Sequence, residues 1–255
     1  MAHFVYLVAG IVLMMVGFLV PIFKYIKNKN CIDSCLLSIS FSLVYYMGLM
    51  LIPLEDIPFK TIPLAFRLQF FLMAIIKYGI LFFFIWLIPF LKKFSFEKAT
   101  AFATGFASLK LILFGLVFLL GVGDDACNPG FLSTLSHHYH NDFFAFLSDM
   151  RFKHYWTLLV LVVERISIFF IDLFLIVIFL YAFKRKNIIL FVFVILYETF
   201  VNKIADIFNN TTCIELLDFS IYKTVILTVI LALISGIIAR SLKNRWQEDN
   251  LKTES

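Results

Sequence analysis

Apolar residues along this chain come in long continuous runs, and polar residues gather in the short segments between them. Seven runs reach the roughly 20 residues that a helix needs to cross the hydrocarbon core of a bilayer. They cover residues 4–24, 31–53, 63–91, 98–122, 155–183, 187–208 and 222–243. No low-complexity linker divides them. The pattern predicts an all-α polytopic membrane protein, a single domain of seven transmembrane helices, with an outer loop at 123–154 and a tail at 244–255.

Composition supports a membrane protein. Of the 255 residues, 62% are hydrophobic, 15% are charged and 33 are Phe, and the mean hydropathy is +0.96. A soluble domain of this length has no interior large enough to bury so much apolar surface. With only 10 Gly and 6 Pro, long uninterrupted helices are expected. The composition therefore excludes a soluble globular class and makes the lipid bilayer the expected surroundings.

Lysine and arginine are distributed unequally among the segments between the runs. Thirteen fall on one side of the predicted bundle and five on the other. Because basic loops stay in the cytoplasm, we predict that the N-terminus lies outside and the C-terminus in the cytoplasm, in the cell (cytoplasmic) membrane. The first run has its basic residues after it, so we predict a permanent span and not a signal peptide. These loops are topology signals, and no nucleic-acid partner is predicted.

Eight ionisable side chains interrupt the runs, and their formal charges cancel. They are Lys77, Lys110, Arg165 and Lys203, against Glu164, Asp172, Glu198 and Asp206. At about 100° per residue, Arg165 and Asp172 share one helical stripe. A second stripe, on run six, holds Glu198, Asn202 and Asp206 at spacings of four. Glu164 and Arg165 point in different directions, so each is expected to need its own partner. Since charges at membrane depth are costly, we expect an interior polar face where runs three to six meet.

Three segments carry a resemblance to a known family. They are "VERISIFFIDLFLIVIFLYAFKRKN", "ILYETFVNKIADIF" and "FSFEKATAFATGFASLKLILFGLVFLLG". The first is similar to the helix of YhfC-type intramembrane proteases in which Glu-Arg precedes a His and a basic loop follows. The second resembles the next helix, with a second His, and the third resembles a Gly-rich segment with a Glu-Ala pair. The resemblance covers much of residues 65–210 and implies a membrane-embedded, glutamic-type (CPBP-like) protease fold.

The same resemblance indicates where the family's chemistry is missing. Lys110 stands where the family has a Glu, and Asp172 and Glu198 stand where it has its two His residues, while Glu164-Arg165 is kept. A general base is usually Glu or His, and a metal variant needs neutral imidazoles with carboxylates. The central runs hold no His. The exchanged charges still attract, so Lys110 is expected to pair with Asp172 or Glu198.

We therefore expect a degenerate, non-catalytic relative, a pseudoenzyme, whose paired polar core binds or positions a membrane partner and needs no cofactor. Two alternatives stay open. An active intramembrane peptidase with a rearranged acid/base set would use Glu164, Asp172 and Glu198. A small transporter or ion carrier would use the same charges. The third run also departs from the family, because it lacks an acidic pair ahead of an Arg and its only charge between 68 and 91 is Lys77.

The segments predicted to lie outside hold two further candidate sites. His137, His138 and His140 are weak zinc or copper ligands, because their spacing does not match a closed zinc site, and an incidental cluster is favoured. Cys127 and Cys213 both fall in predicted outer loops, where an oxidising exterior permits a disulfide. The sequence does not fix the distance between these two cysteines.

Overall fold

A computed structural model of the chain describes residues 2–27, 31–51, 63–88, 95–127, 155–210 and 217–254. Within these ranges the chain forms helices and no strand. The helices are α1 (Ala2–Lys27), α2 (Ile32–Leu51), α3 (Pro63–Leu87), α4 (Phe96–Cys127), α5 (Tyr155–Arg185), α6 (Ile188–Asn210) and α7 (Leu217–Glu254). The predicted all-α class with seven helices is confirmed.

Apolar length identifies this bundle as a multi-pass membrane protein. Three described segments are long and apolar enough to span a bilayer, namely Phe96–Leu116, Val162–Arg185 and Val225–Trp246. Shorter apolar stretches are Leu7–Phe23, Ile32–Tyr46, Phe71–Leu87 and Ile188–Asn202. Helix α7 has 38 residues, roughly 57 Å of helix against a hydrocarbon core of about 30 Å. Most of the segment that the sequence predicts as a tail is therefore a continuation of this helix.

Helix α5 occupies the centre of the bundle. It packs against α1, α4, α6 and α7, and its side chains from Leu175 to Ala182 are all buried. Helix α4 also packs against α1 and α2, and α3 packs against α6. A polar side chain on the inner faces of α3 to α6 is thus surrounded by protein and kept from lipid.

Small residues let α4 approach α2 closely. Ala101 is buried on α4 one turn before Gly105, on the same face. A Cβ atom placed on Gly105 would lie 2.5 Å from the carbonyl oxygen of Cys35 in α2, which is too close for any other residue. In a bilayer, helices associate through such close packing because lipid tails are as apolar as the side chains. The contact sets the height of α4 in the bundle.

The connection from α5 to α6 is a tight turn. Lys186 has a left-handed backbone with φ of 53°, and the N–H of Asn187 donates back to the last turns of α5 at 2.9 Å, a common helix ending. The side-chain oxygen of Asn187 accepts from the N–H of Leu190 at 3.2 Å and caps α6. This turn makes α5 and α6 antiparallel neighbours, so Asp172 and Glu198 differ by only roughly 5 Å along the helix axes.

An aromatic contact joins α7 to the same end of the bundle. Trp246 is completely buried, with ring centroids 5.8 Å from Phe96 at the start of α4 and 5.4 Å from Tyr181 on α5. The ammonium of Lys184 lies 5.5 Å from the Trp246 ring centroid, within the range of a cation–π contact. Helix α7 is therefore attached to α4 and α5 at the last residue of its apolar span.

Candidate functional site

Four ionisable side chains from four helices meet inside the bundle, and we refer to them as the core charge cluster. They are Lys77 of α3, Lys110 of α4, Asp172 of α5 and Glu198 of α6. Each residue lies within about two residues of the middle of its helix. Their position places the cluster at the depth where a bilayer is most apolar, so the charges must satisfy one another.

Lys77 is the central member of the core charge cluster. Its Nζ donates to Asp172 Oδ1 at 3.0 Å and to Glu198 Oε1 and Oε2 at 2.8 and 2.9 Å. The N–H bonds of an ammonium diverge too widely to give each oxygen of one carboxylate its own donor, so the Glu198 oxygens share one bifurcated N–H and Asp172 takes a second. Only 7% of the Lys77 side chain is exposed. The side chain ties α3 to both α5 and α6.

Lys110 completes the cluster from the other side of Asp172. Its Nζ donates to Asp172 Oδ2 at 2.8 Å, so each of the four carboxylate oxygens of Asp172 and Glu198 accepts from a lysine. Two positive and two negative formal charges cancel. The Lys110 side chain is 26% exposed, against 5% for that of Asp172. Lys110 is consequently the member nearest to the surface of the bundle.

Aromatic rings cover the ammonium of Lys77. The ring centroids of Tyr78 and Phe106 lie 5.3 and 5.6 Å from its Nζ. Phe106 in turn contacts the rings of Tyr45 and Tyr46 at centroid distances of 6.0 and 6.1 Å. Such rings attract a cation through their negative faces, and an apolar surrounding strengthens the ion pairs because it lowers the local dielectric constant.

Glu164 and Arg165 lie apart from the core charge cluster and contact each other. Arg165 Nη2 is 3.9 Å from Glu164 Oε2, and the guanidinium lies 4.6 Å from the ring centroid of Phe114 on α4. At 3.9 Å the contact between Arg165 and Glu164 is longer than a hydrogen bond, so the prediction that each residue needs its own partner stays a prediction. Glu164 is two helical turns from Asp172, roughly 12 Å along α5.

A small cavity lies beside Lys110, between α4 and α5. It has a volume of about 10 Å³, close to the least that holds one water molecule. Its lining consists of Ala107, Lys110, Leu111, Phe114, Arg165, Ile168 and Phe169. The charged groups on this lining are cations, and the carboxylates of Asp172 and Glu198 do not face it. A water in this cavity would contact the cations Lys110 and Arg165, because no carboxylate is among its lining residues.

The core charge cluster contains donors that a divalent cation can use, since carboxylates ligate such ions. A catalytic zinc site needs three protein ligands, and no group of three His, Cys, Asp or Glu side chains comes together within the described ranges. The ammonium of Lys77 lies between the two carboxylates, at the point that an ion bound by both would have to occupy. The residues present do not fit a divalent metal ion.

The other sequence candidates are distributed as follows. Asn202 follows Glu198 by one turn of α6 and is half-buried. The side chains of Lys203 and Asp206 lie outside the described part, as do the side chain of Cys127 and all of His137, His138, His140 and Cys213. Sequence reasoning missed the central role of Lys77. The sequence did contain a signal for this role. Lys77 is the only charge in the middle of run three, so any carboxylate that neutralises it has to come from another helix.

Comparison with known proteins adds one positive finding. A family model described as YhfC intramembrane metalloprotease matches residues 12–223, a stretch that includes all four residues of the core charge cluster. Neither the curated proteins nor the solved structures gave a match. The match covers most of the chain and agrees with the resemblance seen in its segments. The chain belongs to the YhfC intramembrane metalloprotease family.

Proposed function

We propose that this protein is a non-proteolytic member of its family whose core charge cluster fixes the arrangement of α3 to α6 for binding a membrane partner. One observation carries the proposal. All four carboxylate oxygens of Asp172 and Glu198 accept hydrogen bonds from Lys77 or Lys110. The acids that a protease would use on water are engaged with cations of the same chain.

Peptide hydrolysis requires a base within hydrogen-bond reach of a water molecule. Asp172 and Glu198 have lysine donors on every oxygen, and the nearby cavity faces Lys110 and Arg165. Glu164, the third acid of the peptidase alternative, contacts Arg165 two turns away from the cluster. The family's description implies a metal ion, and the donor set does not fit one. These four facts favour loss of hydrolysis over a rearranged acid/base set.

Stability alone does not account for three buried charges and a half-buried fourth. Replacing a buried ion pair by well-packed apolar residues is often neutral or stabilising, by about 1–4 kcal/mol. The best-attested benefit of such pairs is that they select one register of the elements they join. The cluster joins four helices, so it selects one arrangement of α3, α4, α5 and α6. A protein that uses this arrangement to present a surface has a reason to keep the charges.

The surface nearest to the cluster is the outer side of α4 and α5. Lys110 is the most exposed cluster residue, and the cavity beside it opens between these two helices. On α4, Phe114 lines the cavity one turn after Lys110 and is half-buried. A partner's transmembrane helix that packs here would contact Phe114 and the stem of Lys110.

Site-specific photocrosslinking tests the partner. A photoreactive residue at Phe114 should give discrete protein adducts in native membranes, and Lys110→Met should abolish them while the protein stays in the membrane. The matched control is a photoreactive residue at Ile237, which is exposed on α7. Equal adducts from both positions, or none from Phe114, would contradict the proposed surface.

Terminal proteomics of membranes tests hydrolysis without a known substrate. Cells that express the wild-type chain and cells that express Glu198→Gln should show the same set of protein N-termini. New termini inside transmembrane segments that disappear in Glu198→Gln would establish a protease and refute the proposal. Size-exclusion chromatography of both purified chains checks that the variant folds. Ion flux in proteoliposomes that depends on Asp172 or Glu198 would instead support the ion-carrier alternative.

A further inference from the structure

The ammonium of Lys77 has the surroundings that proteins give to a bound cation. Three carboxylate oxygens contact it at 2.8–3.0 Å. Both oxygens of Glu198 take part, which is the bidentate mode in which carboxylates also hold Ca²⁺. The rings of Tyr78 and Phe106 lie on its remaining sides, with centroids 5.3 and 5.6 Å away. These groups recognise positive charge, which the lysine supplies at the end of an otherwise apolar stem.

The covalent link makes this cation permanent. Lys77 belongs to α3, and the acids belong to α5 and α6, so the ammonium is an intramolecular ligand with a high effective concentration. A mobile divalent cation would have to displace it and would also meet the charge of Lys110, 2.8 Å from Asp172. An ion from solution therefore competes poorly for the two acids.

We infer that Asp172 and Glu198 form a cation-binding site whose resident cation is the Lys77 ammonium, in place of the metal ion that the family's description implies. Shortening Lys77 to Ala should then convert the pair into a site for a divalent cation that prefers oxygen ligands, such as Mn²⁺. This inference goes beyond the proposed function, because it concerns what fills the site and holds with or without a membrane partner.

Manganese binding to purified protein in detergent tests the inference. The background chain carries His137→Ala, His138→Ala and His140→Ala, because loop histidines bind transition metals without regard to the core, and its affinity tag contains no histidine. Equilibrium dialysis followed by elemental analysis gives the bound Mn²⁺. The chains compared are this background, Lys77→Ala, Lys77→Arg, and Lys77→Ala with Glu198→Gln.

The expected result separates these four chains. Lys77→Ala should bind about one equivalent of Mn²⁺, at least tenfold more tightly than the background chain. Lys77→Arg keeps the positive charge, and Lys77→Ala with Glu198→Gln lacks the second acid, so both should bind no more than the background. The inference is overturned when the background chain itself binds one equivalent of Mn²⁺ as tightly as Lys77→Ala does, or when folded Lys77→Ala gains no Mn²⁺.

A second measurement keeps the test decisive when Lys77→Ala is poorly folded. Ethylammonium approximates the missing end of the lysine side chain and should fill the space that the substitution opens. It should raise the Tm of Lys77→Ala and leave that of the background chain and of Lys77→Arg unchanged. Absence of rescue by both ethylammonium and Mn²⁺ would refute a cation site. Loss of photocrosslinking with intact Mn²⁺ results would instead refute only the proposed function.

Discussion

Replacing Lys77 by Met removes the central cation and keeps the length of the side chain. The core charge cluster then has one positive and two negative formal charges, so one acid is left uncompensated in the middle of the bundle. Glu198 bears this loss, because both of its lysine contacts come from Lys77, whereas Asp172 keeps Lys110. Removing one partner of a buried pair costs about 3–5 kcal/mol, and Lys77→Met should lose stability in this range.

The double variant Lys77→Met with Glu198→Gln should recover most of this loss. It leaves one cation and one anion, Lys110 and Asp172, which already contact each other at 2.8 Å. Lys110→Met should cost less than Lys77→Met, about 1–3 kcal/mol, because Asp172 keeps Lys77 and the Lys110 side chain is 26% exposed. The expected order of stability of the three variants depends on which acid loses its lysine donors.

Reversible unfolding by SDS in mixed micelles measures these differences, with tryptophan fluorescence as the signal. Lys223→Met is the control, because Lys223 is exposed and should change stability by less than about 0.5 kcal/mol. A double-mutant cycle with Lys77→Met and Glu198→Gln gives their coupling energy, expected to be at least about 2 kcal/mol. The reasoning fails when Lys77→Met is as stable as Lys223→Met, or when adding Glu198→Gln makes Lys77→Met worse.

Three further predictions concern packing and topology. Gly105→Ala should cost about 1–3 kcal/mol by forcing α4 away from the Cys35 carbonyl, and Gly79→Ala, with open space around it, is the control in the same unfolding assay. Trp246→Ala should destabilise the protein by about 3–5 kcal/mol, because it leaves a cavity beside Phe96 and Tyr181. Limited proteolysis of this variant should then release the end of α7. A reporter enzyme active only in the cytoplasm should work at the C-terminus and fail at the N-terminus, and the reverse pattern would contradict the predicted orientation.

The fold class could be read from the sequence because its cause is local. An apolar run of about 20 residues in a bilayer has to satisfy its backbone hydrogen bonds within itself, and a helix does this. The number of helices therefore follows from counting runs. The end of α7 was harder to predict, because the helix continues as a polar segment anchored by Trp246 on other helices. That contact depends on Tyr181 and Phe96, which are 65 and 150 positions away in the sequence.

Only part of the site could be predicted from the sequence. Charge balance indicates that the acids and bases pair, but it does not indicate which acid pairs with which base. The sequence gives Lys110 two acids to choose from, and in the structure it contacts Asp172. Lys77 takes both acids because α3 packs against α6, a relation between helices that no periodicity encodes. The approach of Arg165 to Glu164 at 3.9 Å could not be predicted from helical angles, because these describe Cβ directions and not the end of a long side chain.

The family is described as metalloproteases, yet the side chains of this cluster do not fit a metal ion. The charges in the cluster suggest how both statements can hold. A divalent ion brings two positive charges to its site, and Lys77 and Lys110 together bring the same number. Two carboxylates therefore stay neutralised when two lysines replace such an ion. No carboxylate is left without a counter-charge in the middle of the bilayer, where an unpaired charge is most costly. Either lysine alone would leave one negative charge. The two substitutions make physical sense only as a pair, so reverting one of them should destabilise the protein without restoring a metal site of full affinity.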